Sequence, residues 1–317
     1  MCDGDLDVCN PQGDLAGFHT DVPRMLAGGV GGQFWSVYVP CGIDDPFQST
    51  LQQIALVERM AERDDRLTMA RSAAAVATAR SSGRIGCLLG VEGGHAIEND
   101  LAKLEHLADR GIRYMTLTHS DNTPWADSAT DDPAHGGLTD FGREVVASMN
   151  RLGVLVDVSH VAATTMRAAL ETSAAPIIAS HSNADSLAPH PRNVPDDVLR
   201  EIGRRGGVVM AVFFPGFVMA DTARVMIDLF AQWRTLRETL GGDEAAIAAE
   251  IERIEGSLDV DTGAVVDVVD HIEYMADLAG IDGVGLGSDF DGMTMTPQMP
   301  LFQATDHQPL IDALEQV

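Results

Sequence analysis

The chain has 317 residues, a hydrophobic content of 45% and a formal net charge of −27. This length and composition suffice for one large barrel or two ordinary domains with a sizeable core. The negative charge argues against nucleic acid or an anionic membrane surface as a partner. The sequence shows neither a run of about 18 apolar residues nor a basic-then-apolar leader, so no membrane span is expected and the expected location is cytoplasmic. A reducing compartment fits the four cysteines, which form no CxxC pair.

Short apolar, β-branched runs alternate with amphipathic helical segments along most of the chain. Seven strands are predicted, over residues 33–39, 85–91, 114–118, 154–156, 176–179, 208–214 and 284–287. Helices are predicted over residues 21–26, 48–80 with a break near 64–65, 99–110, 138–152, 161–172, 196–205, 219–257, 262–279 and 307–317. Repeated strand–helix units without a Gly-rich dinucleotide loop favour an α/β fold of the (β/α)8, TIM-barrel type over a doubly wound sheet.

The domain organisation follows from the same count. One of eight strands is missing from it, and both ends of the predicted barrel are abrupt. We therefore expect a single barrel domain over residues 1–317 that lacks its first strand and carries a helical insertion at about 219–257.

One strand–helix–strand unit, residues 154–182, carries the first functional signal. Each of its strands ends near a histidine, His160 and His181, and the two are 21 residues apart, which is one strand–helix repeat. Ligands and chemistry of such sheets are found at the carboxyl ends of the parallel strands. Two imidazoles at that edge are placed to share one metal ion.

Other strands end in the same way, so that five strand ends carry Glu92, His119, His160, His181 and Asp289. Each residue alone has a structural alternative: a hydrogen-bonded histidine, a loop carboxylate for Glu92, or a helix cap for Asp289. Five such residues on five strands favour a site, because charged and imidazole groups at the rim of an apolar barrel need partners. Imidazole and carboxylate ligands suit Zn²⁺, which activates water for hydrolysis.

The sequence also resembles the membrane dipeptidase (renal dipeptidase) family of binuclear zinc peptidases, which are amidohydrolase-like barrels. The resemblance spans nearly the whole chain. It rests on motifs at residues 31–39 (GGQFWSVYV), 91–95 (VEGGH), 114–122 (YMTLTHSDN), 125–128 (WADS), 155–160 (LVDVSH), 180–182 (SHS), 192–197 (RNVPDD) and 287–292 (GSDFDG).

The resemblance implies a metal-dependent dipeptidase that hydrolyses small unblocked dipeptides, some with a C-terminal D-residue, by a zinc-activated bridging hydroxide. By the same resemblance Glu92 bridges two zinc ions, and His160 and His181 bind the second ion. His119 would contact the substrate carbonyl, and Arg192 would clamp the C-terminal carboxylate of the dipeptide. Asp289 would be the acid/base that also contacts substrate, with Asp291 as its competitor for that role. Without the family, an ordinary surface arginine is an equal reading of Arg192.

The first zinc site is where the chain departs from the family. The family carries an Asp-Gly-His-Asn-Asp motif on its first strand, and its His and second Asp bind the first zinc. Here Asp3-Gly4-Asp5-Leu6-Asp7 imitates that motif with Asp5 in place of His. His19 and Asp21 of the His19-Thr20-Asp21 segment are disfavoured as substitutes for the missing His and Asp ligands, because this segment precedes a helix rather than ending a strand. The family's closing helices are also expected to be cut short at Val317.

Two alternatives to the dipeptidase stay open at this point. The chain could be an inactive or single-metal remnant of the fold, because ligands of one site are absent. It could instead be a related amidohydrolase that acts on a cyclic amide or lactone, for which Arg192 would have no carboxylate to bind. The expected partners are a small dipeptide and a second copy of the chain in a homodimer.

Overall fold

The computed structural model of the chain describes residues 18–240, 244–255, 260–292, 301 and 303–315. Within these ranges the strands are β1 (Gly32–Tyr38), β2 (Leu67–Met69), β3 (Ile85–Glu92), β4 (Ile112–Thr116), β5 (Leu155–Asp157), β6 (Ile177–Ala179), β7 (Val208–Ala211) and β8 (Val284–Leu286). The α-helices are α1 (Val22–Ala27), α2 (Pro46–Arg63), α3 (Ala73–Ser81), α4 (Leu101–Arg110), α5 (Asp140–Leu152), α6 (Ala163–Thr172), α7 (Asp196–Arg204), α8 (Pro215–Val218), α9 (Ala220–Leu240), α10 (Glu244–Glu255), α11 (Val265–Ala279) and α12 (His307–Leu314).

All the strands pair in parallel in one sheet, in the order β1-β3-β4-β5-β6-β7-β8, and β2 pairs with the first half of β3. The register aligns the strand ends, because Tyr38 pairs with Glu92, Glu92 with Thr116 and Thr116 with Asp157. The loops that follow these strands therefore leave the sheet at one edge. The sheet curls into a half-barrel with helices outside, which confirms the predicted (β/α)8-type α/β fold.

Within the described ranges no backbone ladder joins β8 to β1. The two ends are linked instead through the loop after β8, where the Asp291 carboxylate accepts from the backbone N–H groups of His19 and Thr20 at 2.7 and 3.2 Å. The missing first strand stays a prediction, because residues 1–17 lie outside the described ranges.

The strands pack against the surrounding helices through buried apolar side chains on the face opposite the Glu92 side chain. Val91, Met115, Val156, Ala179 and Ala211 are all fully buried and belong to one hydrophobic cluster. Because strands buried on both faces need apolar residues throughout, these strands read as continuous apolar runs rather than alternating ones.

Most predicted elements are confirmed, with three corrections. The predicted helical stretch 48–80 contains the three-residue strand β2, which follows a turn where the backbone and guanidinium N–H groups of Arg66 donate to Asp64. Strand β4 begins and ends two residues earlier than predicted, and β7 ends three residues earlier. The helical stretch 219–257 contains two helices, α9 and α10; the single-domain prediction stays a prediction.

None of the helices in the described ranges is both long enough and apolar enough to cross a membrane.

Gly90 allows a close contact in the middle of the sheet. It pairs with Ser36 on one side and Tyr114 on the other. The Tyr114 ring passes over it, so that an added Cβ would lie 2.1 Å from two ring atoms. The Tyr114 hydroxyl thereby donates to Ser36 Oγ at 3.4 Å.

We expect Gly90→Ala to destabilise the protein by about 1–3 kcal/mol, because the buried tyrosine ring must leave its place. Urea unfolding of Gly90→Ala, of Tyr114→Ala and of the double variant measures the energetic coupling between the two positions. The double variant should lose less stability than the sum of the single variants. Strict additivity would show that the ring and Gly90 do not compete for space.

Candidate metal centre

Four strands bring imidazole and carboxylate side chains to the carboxyl edge of the sheet. Glu92 is the last residue of β3. His119 and His160 follow the last residues of β4 and β5 by three positions, and His181 follows β6 by two. The in-register strand ends place these short extensions side by side, as the sequence pattern predicted for Glu92, His160 and His181.

The ligand atoms of Glu92, His160 and His181 lie within 4.8 Å of one another. The Nε2 atoms of the two histidines are 2.8 Å apart, and they lie 3.0 and 3.4 Å from Glu92 Oε1. His160 has a φ of +65°, a left-handed conformation that is uncommon for residues other than glycine. Such strain is typical of functional sites, where the surroundings hold a side chain in a required direction.

The electrostatics of the cluster leave the two imidazoles neutral. Burial, followed by the nearby Arg192 charge, holds the pKa values of His160 and His181 well below their ordinary value. Burial acts to raise the pKa of Glu92, but His181, His119, the Ser36 hydrogen bond and Arg192 outweigh it, so that the pKa is lowered. The cluster thus combines an anionic carboxylate with two neutral imidazoles.

Hydrogen bonds hold the Glu92 carboxylate through Oε2, the oxygen that does not face the histidines. Ser36 Oγ donates to Glu92 Oε2 at 2.8 Å, and Tyr114 donates to the same serine. Glu92 Oε1 is left to face the histidines. The sequence analysis gave no role to Ser36 or Tyr114; their signal is that both lie on strands next to β3, at positions paired with Gly90.

His119 lies beside this cluster, but its Nε2 atom is farther from Glu92 Oε1 than those of His160 and His181 are. Its ring stacks on His160 with centroids 4.2 Å apart, and Tyr38 packs on it at 4.5 Å. Its Nε2 is 3.9 Å from Glu92 Oε1, while its Nδ1 is hydrogen-bonded to Ser120 Oγ at 2.9 Å. At 18% exposure, the His119 side chain is more accessible than Glu92 or His181.

Arg192 is a buried cation, which excludes the reading of it as a surface arginine. The residue is 2% exposed, and its buried Nη1 has no hydrogen-bond partner in the described ranges. Its guanidinium lies over the Phe217 ring at 5.1 Å. Burial lowers the pKa of Arg192 to about 10, while Asp289, Glu92 and Asp157 act to raise it, so the group is charged at neutral pH. An unpaired N–H on a buried cation indicates a binding position for an anionic group.

Two carboxylates in the loop after β8 differ in their surroundings. Burial, followed by repulsion from Glu92, raises the pKa of Asp289 to about 8, with Arg192 opposing the shift. The Asp291 oxygens instead accept from His19 and Thr20, including a short contact with the Thr20 hydroxyl. Asp291 thus joins the loop to the segment before α1, and of the two carboxyl groups Asp289 is the one with the raised pKa.

The substitute ligand pair is not part of the cluster. His19 Nδ1 accepts from the backbone N–H of Asp291 at 2.9 Å. Asp21 caps α1, because its carboxylate accepts from Arg24 N and Arg24 Nε at 2.7 Å. Asp5 and Asp7, which imitate the family's first-site motif, lie outside the described residues.

The donor set of the cluster fits a divalent metal ion. Two neutral imidazole nitrogens at hydrogen-bond distance from each other and from a carboxylate oxygen are the ligand types that Zn²⁺ prefers. In the described part of the chain, this is the one group of three such side chains with ligand atoms so close together.

The comparison with known proteins agrees with this geometry. A family model described as membrane dipeptidase (peptidase family M19) matches residues 5–316. A metallo-peptidase from Rhodobacter sphaeroides, bound to a phosphinate mimic of the dipeptide L-Ala-D-Ala, is 25% identical with a TM-score of 0.77; the match covers 96% of this chain and 85% of that one.

Two further solved structures are similar over the same extent. The metallo-peptidase dipeptidase AC is 25% identical with a TM-score of 0.77, covering 96% of this chain and 84% of its own. The probable dipeptidase PvdM from Pseudomonas aeruginosa is 21% identical with a TM-score of 0.80 and the same coverage, a likeness of fold. With a family match over nearly its whole length and a metal-type ligand cluster at its sheet edge, the chain belongs to the membrane dipeptidase family, peptidase family M19.

Proposed function

We propose that the chain is a zinc-dependent dipeptidase in which Glu92, His160 and His181 hold the metal ion. The observation that carries this proposal is the convergence of their ligand atoms within 4.8 Å at the carboxyl edge of the sheet. Zn²⁺ held there supplies Lewis acidity and lowers the pKa of water toward neutrality, which is the activation that the family resemblance implies.

Arg192 binds the C-terminal carboxylate of the substrate. Its Nη1 is a buried N–H donor that lacks an acceptor among the residues that the structure describes, and a carboxylate supplies both the acceptor and the charge. The Phe217 ring under the guanidinium limits its movement. A substrate held at this end is positioned for attack on a peptide bond one residue away.

His119 and Asp289 carry the remaining steps. His119 lies beside the cluster and contributes Nε2 toward the oxygen of the peptide carbonyl, where negative charge develops. Asp289 takes a proton from the attacking water and passes it to the leaving amine nitrogen. Because its pKa is raised, this carboxyl can hold a proton near neutral pH, as a general acid requires.

The substrate is a small unblocked dipeptide, and we include a D-residue at the C-terminal position. Support for that stereochemistry comes from the Rhodobacter sphaeroides relative, which was crystallised with a mimic of L-Ala-D-Ala. The second metal ion of the family, the homodimer and the cytoplasmic location stay predictions.

Metal content tests the ligand assignment. We expect His160→Ala and His181→Ala each to lose bound zinc and dipeptide hydrolysis, because each removes one of three ligands. The matched control is His106→Ala, which removes an exposed histidine of α4. Elemental analysis and hydrolysis of L-Ala-D-Ala are the measurements. Wild-type zinc content in both site variants would refute the ligand set, and zinc without hydrolysis in the wild type would favour the inactive remnant.

Arg192→Lys tests the carboxylate clamp. A buried charge-assisted hydrogen bond of about 1.5–3 kcal/mol is lost or weakened, so we expect KM for L-Ala-D-Ala and L-Ala-L-Ala to rise about 10- to 100-fold. KM for the corresponding C-terminal amides should change little, since they carry no anionic group. If the variant loses nothing on the dipeptides, a cyclic amide or lactone becomes the better substrate class.

Asp289 gives a pH-dependent stability test in the metal-free protein. Its folded pKa of about 8 lies above its unfolded value, so the folded state holds an extra proton between about pH 4 and pH 8. Its contribution to stability is therefore lost as pH rises through this window.

We expect Asp289→Asn to become more stable than the wild type as pH rises, by on the order of a few kcal/mol at pH 8, with no growth of the difference beyond about pH 9. Thermal melts of the chelator-treated proteins from pH 4 to pH 9 measure this. A difference that is constant over the whole range would contradict the raised pKa and leave only the backbone preference at this position of positive φ.

A further inference from the structure

Two polar residues beside the metal cluster, the buried Asp157 and the half-buried Ser180, have no role in the proposed mechanism. Asp157 is the last residue of β5 and is fully buried. Its Oδ1 accepts from the backbone N–H groups of Ser159 and Ser180 at 3.1 and 2.9 Å. Its Oδ2 accepts from the hydroxyl groups of Thr116 and Ser180 at 2.6 and 2.7 Å.

The Ser180 hydroxyl has a second partner. Its Oγ is also 2.8 Å from Nδ1 of His181. A hydroxyl has one hydrogen to donate. Burial raises the pKa of Asp157, while its four hydrogen bonds act to lower it; in the ionised form, which four donors around one carboxylate favour, Asp157 only accepts. Because the hydrogen of Ser180 is used on Asp157, its Oγ can only accept from His181. The proton of the neutral His181 ring must therefore be on Nδ1.

This proton position decides what His181 offers at the cluster. With the proton on Nδ1, the lone pair is on Nε2, which accepts from His160 Nε2–H at 2.8 Å in the metal-free protein and lies 3.4 Å from Glu92 Oε1. The other tautomer would place an N–H there and could not ligate a metal ion. The ring is also held through its backbone, since the N–H of His181 donates to Ser159 Oγ at 3.0 Å.

We propose that Asp157 and Ser180 are positioning residues that hold His181 as the Nδ1-protonated tautomer, with its Nε2 lone pair directed to the metal position. The proposal rests on the proposed metal-binding role of His181 for its functional meaning, but the tautomer itself is a property of the metal-free protein. A role for Asp157 limited to joining the ends of β5 and β6 predicts no effect on the tautomer.

Asp157→Asn separates the two roles, because the new amide can fit in one orientation. Its oxygen must replace Oδ1, where two backbone N–H groups donate, so its NH₂ group faces the Thr116 and Ser180 hydroxyls. The Ser180 oxygen then accepts from that NH₂, and its hydrogen is free to donate to His181 Nδ1. We therefore expect the His181 proton to move to Nε2.

The measurement is the ¹⁵N spectrum of ring-labelled histidine in metal-free protein at pH 8, where protonated and unprotonated ring nitrogens differ widely in chemical shift. The His181 signals are identified by their absence in His181→Gln. Wild type should show Nδ1–H and Asp157→Asn should show Nε2–H. An unchanged tautomer in a folded Asp157→Asn protein would overturn the proposal.

Ser180 provides a second series if the buried Asp157 variant does not fold. Ser180→Ala should lose the tautomer preference and weaken zinc binding about 10- to 100-fold in chelator competition. Ser180→Thr, which keeps the hydroxyl, should retain both. The matched control is Ser186→Ala, which removes an exposed serine–aspartate hydrogen bond of 2.7 Å to Asp196.

If Ser180→Ala keeps the wild-type tautomer and zinc affinity, the proposal is wrong. The tautomer is measured without substrate or metal. The tautomer proposal can therefore be confirmed or refuted whether or not the protein hydrolyses dipeptides. The two proposals therefore fail separately.

Discussion

A buried carboxylate is the constraint on which the site depends. Glu92 ends strand β3 with its charge directed at imidazole rings that burial keeps neutral. A buried anion of this kind is costly unless cations or hydrogen bonds compensate it. Ser36 supplies one hydrogen bond, and Arg192 supplies positive charge in the surroundings. A divalent ion bound at the same position would complete this compensation. Metal binding would therefore lower the free-energy cost of burying the Glu92 carboxylate.

The parallel register of the sheet fixes where the side chains around Glu92 lie relative to one another. Tyr38, Glu92, Thr116 and Asp157 form a row across four neighbouring strands. The row places Tyr38 under His119, and Asp157 beneath the loops that carry His160 and His181. Side chains that end strands are held by ladder hydrogen bonds on both sides, which gives the positional accuracy that metal ligands and their supporting groups need.

The sequence predicted elements that have strong periodicity and a clear end, such as α5, which stops before Gly153 and begins two residues later than predicted. It also predicted the convergence of Glu92, His160 and His181, since equivalent positions in successive strand–helix units must meet at one edge. Strand β2 was missed because Leu67–Met69 contains no apolar β-branched residue, unlike the equally short strands β5, β6 and β8, which the sequence did predict.

Other features depend on contacts between residues far apart in sequence, which no local pattern reveals. The burial of Arg192 depends on Phe217, and the difference between Asp289 and Asp291 depends on which of the two reaches His19. The chain of hydrogen bonds from Asp157 through Ser180 to His181 is formed by neighbours of predicted ligands, yet it becomes visible only from the distances between these groups. Those distances belong to tertiary structure.

The contacts between Asp291 and His19 hold the loop that also carries Asp289. This loop is expected to differ in local stability from the strand ends that carry Glu92, His160 and His181. Glu92 ends β3, and His160 and His181 follow β5 and β6, strands that have paired neighbours on both sides, whereas in the described ranges Asp289 follows a strand, β8, with one paired neighbour. Local opening costs less free energy at such an end than in the middle of a sheet. Opening of the loop that carries Asp289 would therefore leave the Glu92, His160 and His181 side chains in place.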